Sequence, residues 1–360
     1  MPIKVAVVGL GKMGLSHLSI LRALDAFDVR AMCDSARIVG KVLEKYSGIE
    51  FVEDFQALLG RRDLDAVVIS TPTALHATMV SQALEEGLHV FCEKPLTLSG
   101  EQAGKLATLA EAKGLVAQVG YHNRFIGTFQ EAQQLIATQA LGRVRHVLAE
   151  AYGPVVLKPS KATWRSTPEQ GGGCLYDYAA HPLNLLNWMF GVPEACLSSD
   201  LKSTYSVQVE DEVYAMLRFS GAASAHLSVN WSDPSVRKMT TRLSIWGEVG
   251  KLYVDRQELQ VFFDQSAAVP DGYENGWNVK YIMDLTQPVS FYLRGEEYSA
   301  QLEAFGQAIQ DCRGALRNDF RSAAETDTSI EMIRAGRMLN LPEVRPPERP
   351  RALLSRVFGR

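Results

Sequence analysis

Ile3-Lys4-Val5-Ala6-Val7-Val8-Gly9-Leu10-Gly11-Lys12-Met13-Gly14 opens the chain, and the fold follows from how this stretch is read. Residues 3–8 are mostly apolar and β-branched or small, the pattern of a short strand buried on both faces of a parallel sheet. Gly9, Gly11 and Gly14 then give the spacing G-x-G-x-x-G. Leu15, Leu18, Leu21 and Leu24 recur every third residue and predict a helix. A second apolar run, Val29-Arg30-Ala31-Met32-Cys33, ends at Asp34.

Strand, glycines, helix, second strand and acid are the parts of a dinucleotide site. Gly9 permits the tight turn out of the strand, Gly11 lets the backbone approach a pyrophosphate, and Gly14 lets the helix pack closely on the strand. Lys12 and Met13 lie in the same loop. The pyrophosphate is expected at the free N–H groups and positive end of the helix. Asp34 is placed to accept hydrogen bonds from a ribose 2′-OH, which favours NAD, because a carboxylate repels a 2′-phosphate. Arg37, three residues on, could meet such a phosphate and leaves NADP open.

The 360 residues suit two domains. The net charge of −4, with acids and bases mixed along the chain, gives no reason to expect nucleic-acid binding. No apolar run is long enough for an integral membrane segment, and no signal peptide precedes the first strand, so a cytoplasmic protein is expected. The cysteines Cys33, Cys92, Cys174, Cys196 and Cys312 form no C-x-x-C; buried thiols are expected and no metal site.

Through residue 123, strands alternate with helices. Strands are predicted near 50–52, at 65–70, 88–92 and 116–120; helices at 38–46, 54–60, 74–86 and 99–113. Such alternation implies a parallel sheet with right-handed crossovers, whose ligands gather beyond the carboxyl ends of the strands. Gly9–Gly14, Asp34, Thr71-Pro72, Glu93-Lys94-Pro95 and Tyr121–Arg124 then share one edge. His76 and Gln118 join Lys12, Met13, Arg37, Thr71, Pro72, Glu93 and Lys94 as candidate cofactor contacts. From 124 the pattern changes: a helix at 128–140, a strand at 143–152, a loop to 173 and a helix at 175–190. Strands follow at roughly 207–219, 222–231, 239–246, 250–255 and 258–263, a mostly antiparallel sheet. Residues 264–296 show no period, and helices return at 297–313 and 321–339. The expected division is 1–123, 124–340 of α+β type, and a Pro/Arg-rich tail at 341–360, read as solvated.

Two places could carry chemistry. Lys94 follows the 88–92 strand, and Pro95 confines the path before it. An ammonium beside a substrate hydroxyl can hydrogen-bond that oxygen or exchange a proton with it. The second is Asp177 and His181, in Gly171-Gly172-Gly173-Cys174-Leu175-Tyr176-Asp177-Tyr178-Ala179-Ala180-His181. Spaced i, i+4, they fall on one face of a helix, where the carboxylate could orient the imidazole or hold a substrate hydroxyl. On spacing alone, such a pair is more often a helix ion pair or a buried, satisfied histidine. Tyr121, Asn123, Arg124, Trp164, Arg165 and Tyr176 are candidate substrate contacts. His17 is expected to pack near the cofactor loop, and His122 lies close to the switch between domains.

The chain resembles the Gfo/Idh/MocA oxidoreductases, the glucose–fructose oxidoreductase and inositol dehydrogenase family. The resemblance rests on Val7–Gly14, Thr71-Pro72-Thr73 with His76, Glu93-Lys94-Pro95, Gly120-Tyr121-His122-Asn123-Arg124-Phe125, and Gly172–Asp177 through His181. It implies a Rossmann domain followed by an α/β domain with a large open sheet. It implies NAD(P) chemistry on a hydroxyl or carbonyl of a sugar, inositol or nucleotide-sugar, with Lys94, Asp177 and His181 in the catalytic roles. Alternatives within that resemblance are tightly bound NAD used transiently for epimerisation or glycoside cleavage, and a non-catalytic dinucleotide-binding regulator or complex subunit. Ala179 and Asn184 depart from the glycine and aspartate that many members carry. An open sheet leaves one face to cover, so a homodimer or homotetramer is expected.

Overall fold

In a computed structural model of the chain, residues 1–159, 163–311 and 317–336 are described. The tail at 341–360 and Cys312 lie outside these residues. Six strands form the first sheet: β1 (Ile3–Val8), β2 (Phe27–Cys33), β3 (Glu50–Val52), β4 (Ala66–Ile69), β5 (His89–Cys92) and β6 (Ala117–Val119). Their order is β3-β2-β1-β4-β5-β6, and every pairing is parallel. All six carboxyl ends therefore share one edge, as expected from the alternation. Helices α1 (Lys12–Ala23), α2 (Arg37–Ser47), α3 (Phe55–Leu59), α4 (Thr73–Glu85) and α5 (Gly100–Ala112) make the crossovers.

The second sheet has eight strands: β7 (His146–Tyr152), β8 (Ala195–Lys202), β9 (Glu212–Arg218), β10 (Ser224–Asn230), β11 (Arg242–Trp246), β12 (Gly250–Asp255), β13 (Glu258–Phe263) and β14 (Gly276–Tyr281). Their order is β14-β13-β12-β11-β7-β10-β9-β8. Only β7 and β10 pair in parallel; the remaining pairings are antiparallel. Side chains alternate between a fully buried face (Val147, Ala149, Ala151; Val213, Ala215, Leu217) and an outer face that is only half-buried. Helices α6 (Gly127–Ala137) and α7 (Ala180–Phe190) cover the buried face.

Two strands escaped the sequence. β8 (Ala195-Cys-Leu-Ser-Ser-Asp-Leu-Lys202) is only partly buried and mixes polar with apolar residues, so it shows no clean alternation. β14 lies inside 264–296, where Trp277, Val279 and Tyr281 all face outward and stay about half exposed. An edge strand paired on one side needs no buried face of its own.

The C-terminal helices bind the two sheets together. After the short helix α8 (Ile282–Leu285), α9 (Glu296–Gln310) lies on one face of the first sheet, beside α1. Leu302 and Phe305 are fully buried there, and the Phe305 ring meets Phe27 of β2 and Phe91 of β5. Burying each such side chain contributes about 1.5–3 kcal/mol. Gln118 is committed to this packing: fully buried, it donates to the Gln301 carbonyl at 2.8 Å. α10 (Phe320–Ala335) packs between α5 and α7. One continuous set of buried side chains runs from the first sheet through α5 and α10 to the inner face of the second. No helix among the described residues is long and apolar enough to cross a membrane.

Candidate active site

The turn after β1 is built as its glycines suggest. Gly9 has φ +90°, and a Cβ there would lie 2.8 Å from the Ser70 backbone. A Cβ on Gly14 would stand 1.7 Å from the Gly9 carbonyl oxygen, so α1 can lie this close only with glycine at that position. At Gly11 a Cβ would meet no protein atom within 4 Å, which leaves the approach to the first turn of α1 clear. No side chain caps that turn. A loop open on this side, with unpaired N–H groups pointing out of it, fits a pyrophosphate.

Asp34 closes the far side of this cradle. Its two carboxylate oxygens accept from Leu10 N (2.5 Å) and Ala36 N (2.7 Å), so the acid is locked to the glycine loop with lone pairs to spare. Arg37 is the first residue of α2, 73% exposed and 3.7 Å from Glu53. Thr71 and Pro72 lead from β4 into α4. His76 is buried, with Nε2 2.9 Å from the Thr71 carbonyl and Nδ1 3.0 Å from the Pro95 carbonyl. Burial lowers its pKa, while the two carbonyls oppose the shift; as a neutral ring it donates to one of them at a time.

The end of β5 meets the second half of the chain. The Lys94–Pro95 peptide is cis. Lys94 Nζ donates to Asp177 Oδ1 at 2.6 Å and to the Asp177 carbonyl at 2.8 Å. Both side chains are largely shielded, 14% and 12% exposed. Arg165 Nε donates to the other carboxylate oxygen at 3.2 Å, and its guanidinium lies over the Trp164 ring. Burial opposes ionisation of Asp177, but Lys94 and Arg165 outweigh it and hold the carboxyl below its usual range. Glu93, the neighbour of Lys94, lies 2.7 Å from Nε2 of the fully buried His17. Its pKa is also lowered, with His17 and Lys94 overcoming burial.

Residues 175–190 are not one α-helix. Leu175–Ala179 form a π-turn and α7 begins at Ala180. Glu210 anchors the start of this turn: its Oε1 accepts from Leu175 N and its carbonyl from Cys174 N. Asp177 lies inside this turn, and His181 is the second residue of α7. Asp177 turns to Lys94 and Arg165. The His181 ring is buried against His122 (centroids 5.0 Å apart) and Tyr121 (6.4 Å), and its Nδ1 has no hydrogen-bond partner among the described residues. Burial, reinforced by Lys94 and His122, holds the imidazole pKa well below 6.5.

The remaining expected substrate contacts divide. Arg165 adjoins Asp177, Trp164 lies under the Arg165 guanidinium, and Asn123 is buried with its Nδ2 unpaired among the described residues. Arg124 is drawn away from the cleft: its guanidinium is buried, donating to Asn184 Oδ1, the Asn184 carbonyl and the Arg317 carbonyl. Burial pushes it down to about 10. Tyr176 is likewise taken up in the fold, its hydroxyl donating to the Leu98 carbonyl and meeting Arg334. Sequence reasoning missed the contact of His122 with His181, since nothing in the sequence links a turn after β6 to α7. Among the described residues, no group of three or more His, Cys, Asp or Glu side chains could hold a metal ion.

The chain was compared with known proteins. The family described as oxidoreductases with an NAD-binding Rossmann fold matches residues 3–121, and the GFO/IDH/MocA C-terminal domain matches residues 129–253. A D-glucoside 3-dehydrogenase of Escherichia coli K12 is 30% identical over 194 residues, 53% of this chain and 55% of that one. An uncharacterised oxidoreductase of Schizosaccharomyces pombe is 32% identical over 217 residues, 58% of each chain. The chain thus spans little more than half the length of these relatives. A dTDP-3,4-didehydro-2,6-dideoxy-α-D-glucose 3-reductase of Saccharopolyspora spinosa is 26% identical over 71% of this chain and 75% of its own. The structure of a levoglucosan dehydrogenase in complex with NADH and levoglucosan shares the fold, with TM-score 0.82 and 22% identity over 93% of this chain and 97% of that one.

Proposed function

We propose, for a chain that belongs to the Gfo/Idh/MocA oxidoreductases with their NAD-binding Rossmann fold, an enzyme that oxidises a hydroxyl of a sugar, inositol or nucleotide-sugar, or reduces the matching carbonyl. The reading is carried by the Lys94–Asp177 pair, which joins the end of a cofactor-domain strand to the turn that leads into His181. Bound NAD supplies hydride acceptance from the carbon bearing the hydroxyl. The rest falls to the chain. Lys94 Nζ, fixed by Asp177, donates a hydrogen bond to the reacting oxygen. His181 is neutral at physiological pH and takes the hydroxyl proton at Nε2. Asp177 holds Lys94 in place, and with Arg165, Trp164 and Asn123 it bounds the sugar.

NAD is preferred over NADP because Asp34 stands where a 2′-phosphate would lie and Arg37 is turned toward Glu53. The outer face of the second sheet carries a row of rings, His146, Trp246, Tyr253, Trp277 and Phe262, in sequential contact. A second copy packing there would cover it and make the enzyme a homodimer, or a homotetramer if a further face is used. Buried free thiols at Cys33, Cys92 and Cys174 suit a cytoplasmic protein.

The test is NADH formation at 340 nm with NAD and a panel of methyl glucosides, levoglucosan, inositols and dTDP-sugars. Wild type is expected to turn over at least one class, and Lys94→Ala and His181→Ala to lose that activity. Full activity in either variant, or NADH binding with no turnover across the panel, refutes the reading.

A further inference from the structure

His122 sits in a short 3₁₀ turn (His122–Phe125) directly after β6, and its ring lies in a row of others. It stacks on Tyr298 of α9, with centroids 4.7 Å apart and planes 22° from parallel. On another side it meets the His181 ring at 5.0 Å and 63°. The Arg294 guanidinium lies over Tyr298. The turn itself is fixed from both sides: Asn318 Nδ2 donates to the Tyr121 carbonyl, and the buried Arg124 anchors its middle. His122 is therefore held in place rather than free to swing.

An imidazole accepts a proton at one nitrogen only when its hydrogen sits on the other, and the partner of that second nitrogen usually decides which it is. For His181 the usual partner is missing. Nδ1 is buried and unpaired, and the carboxylate four residues earlier is taken by Lys94 and Arg165. What lies against the ring instead is His122, itself neutral. Burial pushes its pKa down to about 3; Glu93 opposes this, and Lys94, Arg256 and Arg294 reinforce it. An N–H directed at the face of a neutral ring is weakly attractive, whereas a lone pair there is repelled, so a ring face presented to Nδ1 favours the hydrogen on that nitrogen.

We propose that His122 is a positioning residue for His181, its ring presenting a face to the buried, unpaired Nδ1, keeping the hydrogen on that nitrogen and leaving Nε2 as the acceptor. The tautomer claim stands on its own; its effect on turnover rests on the reading of His181 as the proton carrier. Tyr298 backs the His122 ring, and Tyr121 closes the remaining side of His181.

The test uses the NAD-bound protein with ¹⁵N-labelled histidine, the His181 resonances being assigned by their absence in His181→Ala. Wild type is expected to show His181 as the Nδ1–H tautomer from roughly pH 6 to 8. In His122→Ala water reaches the ring, a mixture of tautomers appears, and the protonation midpoint of His181 rises. His122→Phe restores the ring and with it the wild-type tautomer. His122→Leu, which fills the space without a π face, should show the mixed tautomer and covers the case in which the alanine variant folds poorly. With a substrate from the panel, kcat should fall about tenfold or more in His122→Ala and return to within roughly threefold in His122→Phe, with NADH affinity unchanged throughout. An Nε2–H tautomer in wild type overturns the proposal, as does a wild-type spectrum in His122→Ala. So does a phenylalanine variant as impaired as the alanine one, which would assign the role to a His122 nitrogen. Full turnover in His181→Ala would instead sink the catalytic reading and leave the tautomer measurement to judge His122 separately.

Discussion

Removing the Lys94 ammonium without removing its stem, as Lys94→Met does, tests the contact on which the site depends. Asp177 would keep its burial and lose both its 2.6 Å partner and the donor to its carbonyl. Stranding one member of a buried ion pair typically costs ~3–5 kcal/mol. Arg165 remains at 3.2 Å, but it is 44% exposed and screened, so it recovers only part of that loss. The expected destabilisation is about 2–4 kcal/mol in urea unfolding of the apo protein. Asp177→Asn should cost less, because the amide oxygen and the Asp177 carbonyl still accept from Lys94. The double variant should cost less than the sum, with a coupling energy of about 1.5–3 kcal/mol. The pH dependence has a definite sign. The Asp177 pKa is depressed in the fold, so the pair's contribution is fully present above the unfolded value of about 4 and is lost as pH falls through the folded value. The wild-type advantage over Lys94→Met should thus be flat from about pH 5 upward and shrink in acid. With a turned-over substrate, kcat/KM should fall by about 100-fold or more in Lys94→Met. Additivity of the two single variants within about 0.5 kcal/mol would refute the claim that Lys94 and Asp177 are energetically coupled.

Other expectations follow from single residues. Gly14→Ala places a Cβ 1.7 Å from the Gly9 carbonyl, so NADH titrated by fluorescence should bind about 100-fold more weakly, and unchanged affinity would contradict the cradle. Asp34→Ala should weaken NAD binding about tenfold and raise the NADP/NAD preference ratio; a ratio that does not move would remove Asp34 from the ribose site. Arg124→Met leaves two buried acceptors and a part-buried one without their donor and should cost about 3 kcal/mol of stability while changing substrate KM less than about twofold; a large KM effect would return Arg124 to the cleft. The acidic limb of kcat/KM should lie below about pH 6.5, because burial keeps His181 neutral there, and a limb at or above that value would exclude His181 as its source.

What could be read from the sequence was set by short-range physics. The β1–α1 turn, Asp34 and the strand-end positions of Thr71, Glu93 and Lys94 follow from local pattern plus the rule that parallel sheets bind ligands at one edge. Two site features did not follow. The i, i+4 reading of Asp177 and His181 presumed one α-helix, whereas Asp177 lies in a π-turn whose first residue, Leu175, is held by Glu210, thirty-five residues on in the loop before β9. Arg124 had the sequence signature of a substrate contact, but Asn184 and Arg317, 60 and 193 residues away, supply its acceptors. Long-range partners decide such cases, and no local window contains them.

The same long-range contacts explain how the two sheets are held against each other. The Lys94–Asp177 pair joins the two halves at one point only, and a single point of contact does not fix an orientation. Here the seam is braced elsewhere. α9 seals one face of the first sheet with Leu302 and Phe305, and α10 wedges between α5 and α7, with Asp327 accepting from both the backbone N–H and the hydroxyl of Thr97 three residues past Lys94. Asn184 and Asn187 of α7 bond to Thr326 and Ser329 of α10. The helix that carries His181 and the strand end that carries Lys94 are therefore both tied to α10. Their relative position is fixed by a rigid third element, and the ion pair has only to set the last rotamers, which is the preorganisation that proton transfer at a stated atom requires.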